Sequence, residues 1–501
     1  MSASERETIL DSAKYLRNVR PIDPEELAEY VEGGTHPAVV RQVLREHLVE
    51  LRLREREDGT FVPAPEEPIT PAFDGVESVP REHLDRLEGL LVERFGPDWA
   101  DGEAGDALRG EIRKLKERYY RQHPVEYDYE AALGYALYHL PAYYAAIQYL
   151  LDELASAGLL SSPIRVLDVG AGVGGPALGL LDYVGGAGEV LAEYHAIEPS
   201  AAADVLEALL EGAGPTVDTT IHRTSAEAFE PDGEYDLLLF ANVLIELSDP
   251  VEVLRRYLPH LAADGSLVAL SPADKNTSIN LREVERAVVD GVGNDDGRAA
   301  DEGGDEDQAY TAYAPELRLW PGEAPTDRGW SFDRKPDLTV PELQRRLDEG
   351  RRARSDSGNA NAESVTNERD PATGEFVNRD VQYSYSIVRT DGRRRVDIEP
   401  SPERFAKLAD TESHVGERVD CVAVKLSHSL SEGNPLFRMG DGSQSTDHYA
   451  VLTRETSLNR ALLDAGYGDV LVLEGVLALW NADEEAYNLV VDEETVVDRV
   501  G

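Results

Sequence analysis

Ten residues, Val166-Leu-Asp-Val-Gly-Ala-Gly-Val-Gly-Gly175, run from a short apolar strand through a glycine-rich turn towards a helix that should begin near Pro176. Gly170, Gly172 and Gly174 can take backbone angles closed to other residues, and with no side chain they let a ligand lie against the peptide plane. The helix behind them presents the positive end of its dipole. Spaced glycines of this kind serve nicotinamide and flavin dinucleotides as well as S-adenosylmethionine. Asp168, two residues before the first glycine, separates these ligands. A carboxylate there suits a cationic amino-acid tail and sulfonium, and repels the pyrophosphate that a dinucleotide places at a helix terminus. The loop is therefore expected to hold S-adenosylmethionine.

Further along, Val190 to Ile197 reads as a second strand ending in Glu198, which is placed to accept hydrogen bonds from ribose hydroxyls. It lies somewhat beyond the roughly 20 residues usual for such an acid. A third strand should end near Arg223 to Glu227, where Ser225 and Ala226 are candidates for the adenine edge. The fourth strand ends at Asn242, which either faces the transfer position or caps a helical turn over Val243 to Leu247. Methyl transfer from a sulfonium is an in-line displacement, so positioning can supply most of the rate, and no catalytic residue is assigned. The chain has no Asn-Pro-Pro-Tyr or Asp-Pro-Pro-Tyr stretch after the fourth strand and no cysteine near the site. These absences argue against the familiar amino methylation of adenine or cytosine and against a covalent cytosine-C5 mechanism. The histidines lack ligand spacing, so no metal is expected, and His139 reads as a packing or substrate contact.

The elements that must position these residues alternate between strand and helix through Leu270, which implies a doubly wound α/β sheet of Rossmann-like type. Asp236 to Ala241 and Gly265 to Leu270 are apolar enough for buried parallel strands, and Pro250 to Leu261 is a helix between them. Pro141, within Tyr138 to Ala146, should start or kink a helix whose tyrosines lie near the glycine loop. The methyltransferase-like region spans 82–348, with an acidic insertion at 290–308, a flexible linker at 349–378 and a strand extension at 379–410. Residues 1–70 spell a winged-helix-like module: three helices, then a hairpin over Asp58-Gly59, with Asp23 and Gly33-Gly34 bounding the second helix. Its third helix offers only Arg41 and Arg45 for nucleic acid. Residues 415–501 give five short strands with a helix, Ser457 to Ala465, before the fourth, an OB-fold-like barrel. Phe437, Arg438, Tyr449 and Trp480 are its candidate stacking or guanidinium surfaces. Trp320, Arg328 and Trp330 mark a Trp- and Arg-rich stretch suited to a binding surface or a packed lid.

Composition bounds the rest. With 501 residues, about three domains are expected, and 97 acidic against 49 basic residues give a net charge of -48. The acid is spread through the whole chain and arginine greatly outnumbers lysine, as in cytoplasmic proteins of salt-accumulating halophiles. At molar salt the screening length falls to about 3 Å, so this charge does not exclude an RNA partner. Such binding would lean on stacking and shape more than on counterion release. One cysteine, Cys421, forbids an intramolecular disulfide or a multi-cysteine cluster. Neither a bilayer-spanning run nor a signal-like start is read, so a soluble, cytoplasmic protein is expected.

Several segments together resemble the mitochondrial small-ribosomal-subunit methyltransferase-like family, which has archaeal and bacterial relatives. They are Tyr138 to Ala146, Val166 to Gly175, Asn242-Val-Leu-Ile-Glu-Leu247, Ala314-Pro315 with Trp330-Ser-Phe332, and Gln382-Tyr-Ser-Tyr385. The resemblance covers roughly residues 120–395. It implies an archaeal, halophilic relative with a class I methyltransferase fold, acting on small-subunit rRNA or in ribosome assembly. Two departures matter: His139 stands where the family commonly has arginine, and Glu316, Trp320 and Ser331 stand around the region where it carries the cysteines of an iron–sulfur cluster. No cluster is expected here. Two other readings stay open, a small-molecule methyltransferase with regulatory or oligomerising end domains, and a non-catalytic RNA-binding assembly factor. Neither a membrane nor a DNA partner is expected.

Overall fold

The computed structural model describes residues 3–31, 35–120, 127–188, 190–290, 310–351 and 374–500. Apart from Asp290, the expected acidic insertion lies outside the described residues, as do most of the 349–378 linker and the Gly33-Gly34 stop. The chain forms two compact units. One comprises Met1–Glu230, Glu234–Leu237 and Asp337–Arg379; the other comprises Pro231–Gly233, Leu238–Pro336 and Asp380–Gly501.

The first unit opens with helices Ala3–Leu16, Pro24–Tyr30 and Pro37–Glu46, followed by an antiparallel hairpin of β1 (Leu53–Glu55) and β2 (Phe61–Pro63). Asp23 starts the second helix as expected: its carboxylate accepts the Glu25 N–H at 2.9 Å, with Pro24 at the first helical position. Ile9, Leu27, Val40, Leu44 and Phe61 close a small core between the helices and the hairpin.

Helix Tyr129–Ser156 runs unbroken for 28 residues with Pro141 inside it. The proline does not start the helix but lies inside it, which leaves the interior one of the two expected placements. Proline has no N–H to give the carbonyl four residues back, here that of Leu137. Gln344 replaces that donor: its Nε2 donates to the Leu137 carbonyl at 2.8 Å and to that of Tyr138 at 3.1 Å. Asn378 Nδ2 also donates to Tyr138 O at 3.1 Å, and its backbone N–H donates to Gln344 Oε1 at 2.7 Å. The later segment of this unit is therefore fastened to the carbonyls that the proline leaves open.

Parallel strands β3 (Ile164–Val169), β4 (Ala192–Ile197) and β5 (Val217–His222) follow, ordered β5-β4-β3. The opening residues of β6 (Tyr235–Ala241) lie beside β3, where the Arg165 N–H donates to the Asp236 carboxylate at 2.7 Å. Helix Gly175–Gly185 packs on Tyr129–Ser156 so closely that a Cβ at Gly179 would lie 2.4 Å from the Tyr144 carbonyl oxygen.

In the second unit the order is β6, β7 (Leu261–Pro272), β10 (Val381–Arg389), β8 (Thr311–Ala314), with β9 (Asp333–Lys335) also on β10. β10 runs antiparallel to both β7 and β8, so the α/β sheet is not wholly parallel. Five further strands close a barrel: β11 (Arg418–Lys425), β12 (Leu436–Gly440), β13 (His448–Leu452), β14 (Val470–Asn481) and β15 (Ala486–Val491). Around it the order is β11-β12-β13-β15-β14 and back to β11, with β13 parallel to β15. The helix between β13 and β14 is only Ala461–Asp464, shorter than expected, and β16 (Val496–Val500) adds to β14. No helix among the described residues is long and apolar enough to cross a membrane.

Candidate functional site

Asp168 is the penultimate residue of β3 and is fully buried. Its Oδ2 accepts the Tyr194 hydroxyl of β4 at 2.6 Å, while Oδ1 has no hydrogen-bond partner among the described residues. Burial pushes the Asp168 carboxyl up to about 7, against the opposing pull of the Tyr194 hydrogen bond, and the nearby Glu198 charge adds to the rise. A buried acceptor left without a donor costs about 1–3 kcal/mol, so this oxygen is energetically incomplete.

Beyond it the chain enters the left-handed region three times, at Gly170 (φ 71°), Gly172 (φ 55°) and Gly174 (φ 87°). At Gly174 space is restrictive as well, since a Cβ would lie 2.5 Å from Leu206 Cδ1. Gly174 is also the N-cap of helix Gly175–Gly185, and no side chain caps that terminus. The loop is tied back to β4, with the Gly170 and Ala171 N–H groups donating to the Ile197 carbonyl at 2.8 and 3.1 Å.

Glu198 follows β4 and is buried beside the loop. Its Oε2 accepts the Gly172 N–H at 2.9 Å, and Oε1 accepts the Ser200 N–H at 2.9 Å and hydroxyl at 2.6 Å. A carboxylate offers about four acceptor positions, so one remains beyond these three. The Glu198 N–H donates to the His222 carbonyl at 3.0 Å, which places the turn carrying Ser225 and Ala226 at the same sheet edge. Ala226 is buried there, and the Ser225 carbonyl accepts the Ala228 and Phe229 N–H groups at 3.1 Å each. The structure thus gathers Asp168, the three glycines and Glu198, with Ser225 and Ala226 three residues past the β4–β5 join.

Asn242 belongs to the second unit. It ends β6 at φ 62°, unusual for a residue with a side chain, and its N–H donates to the Leu270 carbonyl at 2.7 Å. Its buried Oδ1 has no partner among the described residues. After it the chain makes a single hydrogen-bonded turn, the Glu246 N–H donating to the Val243 carbonyl at 2.8 Å, and does not continue as a helix.

His139 sits among Tyr135, Tyr138 and Tyr143, with ring centroids 4.7, 4.9 and 6.1 Å away. Burial, and then the Lys116 charge, lower its pKa to about 3, so the imidazole is neutral. The tyrosine-bearing helix does approach the loop, because a Cβ at Gly175 would lie 3.1 Å from the Leu140 carbonyl and 3.5 Å from Tyr143 Cβ. Sequence spacing did not reveal Glu82, His83 and Asp182, whose ligand atoms lie within 4.8 Å of one another. His83 Nε2 hydrogen-bonds Asp182 at 2.8 Å and the Tyr144 hydroxyl donates to the same carboxylate at 2.7 Å, so the group is coherent without an ion.

The candidate binding surfaces need correction. Trp320 is buried, its Nε1 donating to Asp441 Oδ2 at 2.8 Å. Arg438 is buried between Asp327 (2.8 Å) and Asp447 (2.8 Å), and Phe437 is buried under the Lys425 ammonium at 4.1 Å. All three are packing groups: the polar heads of Trp320 and Arg438 find their partners inside the second unit, and the Phe437 ring is covered there. Glu316 pairs with Arg394 at 2.8 Å, and Ser331 accepts the Ser384 hydroxyl through its carbonyl at 2.7 Å. Trp330 (37 % exposed), Trp480 (46 % exposed) and the partly exposed Tyr449 remain available. In the N-terminal module Arg41 and Arg45 both turn to Glu55, at 3.5 and 2.6 Å.

Residues 139–339 match the model of a methyltransferase domain, which marks the segment holding every candidate site residue as that kind of domain. Residues 6–57 and 409–500 match the N-terminal and C-terminal domains of one domain of unknown function, DUF8157. No curated protein matches. Among solved structures, the plantazolicin methyltransferase BpumL in complex with SAH is 15% identical over 42% of this chain and 68% of its own, at a TM-score of 0.23. The mitomycin 7-O-methyltransferase MmcR is 18% identical over 54% of this chain and 77% of its own, at 0.23. The [4+2]-cyclase SpnF is 25% identical over 25% of this chain, at 0.21, and this chain spans 44% of its length.

Proposed function

We propose that this chain is an S-adenosylmethionine-dependent methyltransferase acting on RNA of the small ribosomal subunit or its assembling precursor. The observation that carries the cofactor half is the buried Asp168 Oδ1, an acceptor without a donor beside three left-handed glycines. An ammonium group would complete that oxygen, Glu198 has an acceptor position left for a ribose hydroxyl, and Ser225 and Ala226 stand where an adenine edge would reach. When bound, S-adenosylmethionine supplies an electrophilic methyl group on sulfur. The protein's part is then to hold and orient, with the uncapped helix terminus at Gly174 and the fixed carboxylates restricting the approach to one line.

The RNA half rests on the family-like segments and on the barrel. Its closure order, the parallel β13–β15 pair and the helix before β14 support the OB-fold reading of the barrel, and Trp480 and Trp330 offer ring surface for stacking. A small-molecule substrate is the second reading, favoured by the pairing of both Arg41 and Arg45 with Glu55, which lessens the positive charge a winged-helix module would present. Calorimetry at high potassium chloride should register S-adenosylmethionine binding that Gly174→Val abolishes. No heat from the wild type sinks the cofactor reading. Labelled methyl transfer to immature small subunits, absent with small phenols and amines, distinguishes the two substrate classes.

A further inference from the structure

Helix Lys275–Val289, the loop around residues 318–328 and the barrel turn at 442–445 enclose an open cleft of ≈ 830 Å³ within the second unit. Three arginines and three carboxylates line it. The carboxylates are not evenly available: Asp290 is taken by Arg318, and Glu323 by Lys407 at 2.8 Å. Arg286 donates to a carbonyl, that of Asp327, whose carboxylate is already held by Arg438. Arg328 is exposed, and among the described residues its guanidinium has neither a carboxylate nor a carbonyl partner. Among the described residues that line the cleft, Glu283 alone has its carboxylate left to balance Arg286 and Arg328. The two guanidiniums are close enough to repel, which together with burial lowers the Arg286 pKa.

In a chain carrying twice as many acids as bases, an under-neutralised pair of guanidiniums facing an open cleft is out of keeping with the rest of the surface. The opposite wall is fixed in place. Gly442, at φ 85°, lies so close to the Leu317 and Ala324 carbonyls that a Cβ would be 2.5 Å from each, and it leads into Ser443, Gln444 and Ser445. Two residues beyond Arg328, the Trp330 indole is held by its N–H on the Ala273 carbonyl at 2.7 Å and stacks on Phe332 at 5.1 Å, yet keeps 37 % of its surface open. A forked cation for an anionic oxygen, and an open ring two residues further along the chain, are the two kinds of group that take up the phosphate and the base of a single strand.

We infer that Arg286 and Arg328 hold a backbone phosphate of single-stranded RNA in this cleft, with a neighbouring base stacked on Trp330. The inference rests on the RNA reading above and gives it a location outside the barrel strands. Anisotropy of a labelled decauridylate, titrated with the full chain over a potassium chloride series, tests it. Arg328→Gln should weaken binding about 10-fold and lower the slope of log affinity against log salt by about one. Arg286→Gln with Arg328→Gln should weaken it about 100-fold, and Trp330→Leu about 10-fold with the slope unchanged. Arg454→Gln, at an exposed barrel arginine paired with Glu493 at 2.9 Å, should change nothing. Wild-type affinity in the double variant, or an equal loss in Arg454→Gln, overturns this site while leaving RNA binding elsewhere intact. If the wild type binds neither decauridylate nor small-subunit rRNA, the site and the RNA reading fall together. Unchanged thermal melting of Arg328→Gln, a surface substitution, separates lost contact from lost fold.

Discussion

Asp168 in the first unit and Asp441 in the second are buried to the same degree, with no exposed surface at either. Their surroundings differ in one respect. Asp441 has every direction filled, with Oδ2 taking the Trp320 indole N–H and the Leu408 N–H, and Oδ1 taking the Ser443 N–H and hydroxyl. Asp168 has one oxygen filled and one left bare. A saturated buried carboxylate holds a fold together, whereas an unsaturated one raises the energy of the empty protein until a donor arrives. The contrast teaches where to look for chemistry in this molecule.

The sharpest way to test the contrast is to remove a saturated carboxylate of the second unit. Asp327→Ala takes from the buried Arg438 guanidinium its buried partner and leaves it only the half-exposed Asp447, and should lower unfolding free energy by about 3 kcal/mol, read by denaturant titration in high salt. S-adenosylmethionine affinity should stay within a factor of about two at temperatures where the variant is folded, because no charge-assisted hydrogen bond to ligand is lost. Asp168→Asn should do the reverse, reducing cofactor affinity about 10–100-fold, the worth of one charge-assisted hydrogen bond, with stability equal to or above wild type. A stability loss matching that of Asp327→Ala would erase the distinction.

Gln344→Leu comes next. It removes the donor that serves Leu137 and Tyr138, and should cost about 1–3 kcal/mol, the penalty of a buried unpaired carbonyl. Hydrogen exchange localised to residues 137–145 would report it.

The smallest effect is a pH dependence. The folded Asp168 pKa, near 7, lies above its ordinary value, so the folded protein holds a proton that the unfolded chain releases. The resulting stability is complete below the unfolded pKa and is lost as pH rises through 7. Cofactor affinity has the opposite sign. A cationic tail needs the carboxylate, so affinity should climb between pH 5.5 and 7.5 by no more than about tenfold per pH unit, and the climb should vanish in Asp168→Asn. A flat wild-type profile would mean the tail sits elsewhere.

What was legible in the sequence shares one property with what was not. Asp168, the glycines and Glu198 lie at strand ends, where position along the chain and position at the sheet edge coincide, so spacing alone placed them. The barrel strands declared themselves by apolar runs between turn residues. Trp320 and Arg438 misled because an indole N–H or a guanidinium looks exposed until its acceptor is found, and those acceptors are 121 and 111 residues away. How Pro141 is tolerated inside a helix was not legible for the same reason, its missing donor being supplied by a side chain 207 residues beyond the open carbonyl.

That last distance has a consequence for how the molecule comes into being. A ribosome releases the chain in order, so helix Tyr129–Ser156 emerges with its middle unsealed and stays so while the glycine loop and the seven sheet strands β3 to β9 are made after it. Only when Gln344 and Asn378 have left the exit tunnel can the segment against the cofactor helix be closed. The unit that carries the glycine loop is in that sense finished from behind, and a chain cut short before residue 342 would carry the whole loop beside a helix still waiting for its stitch.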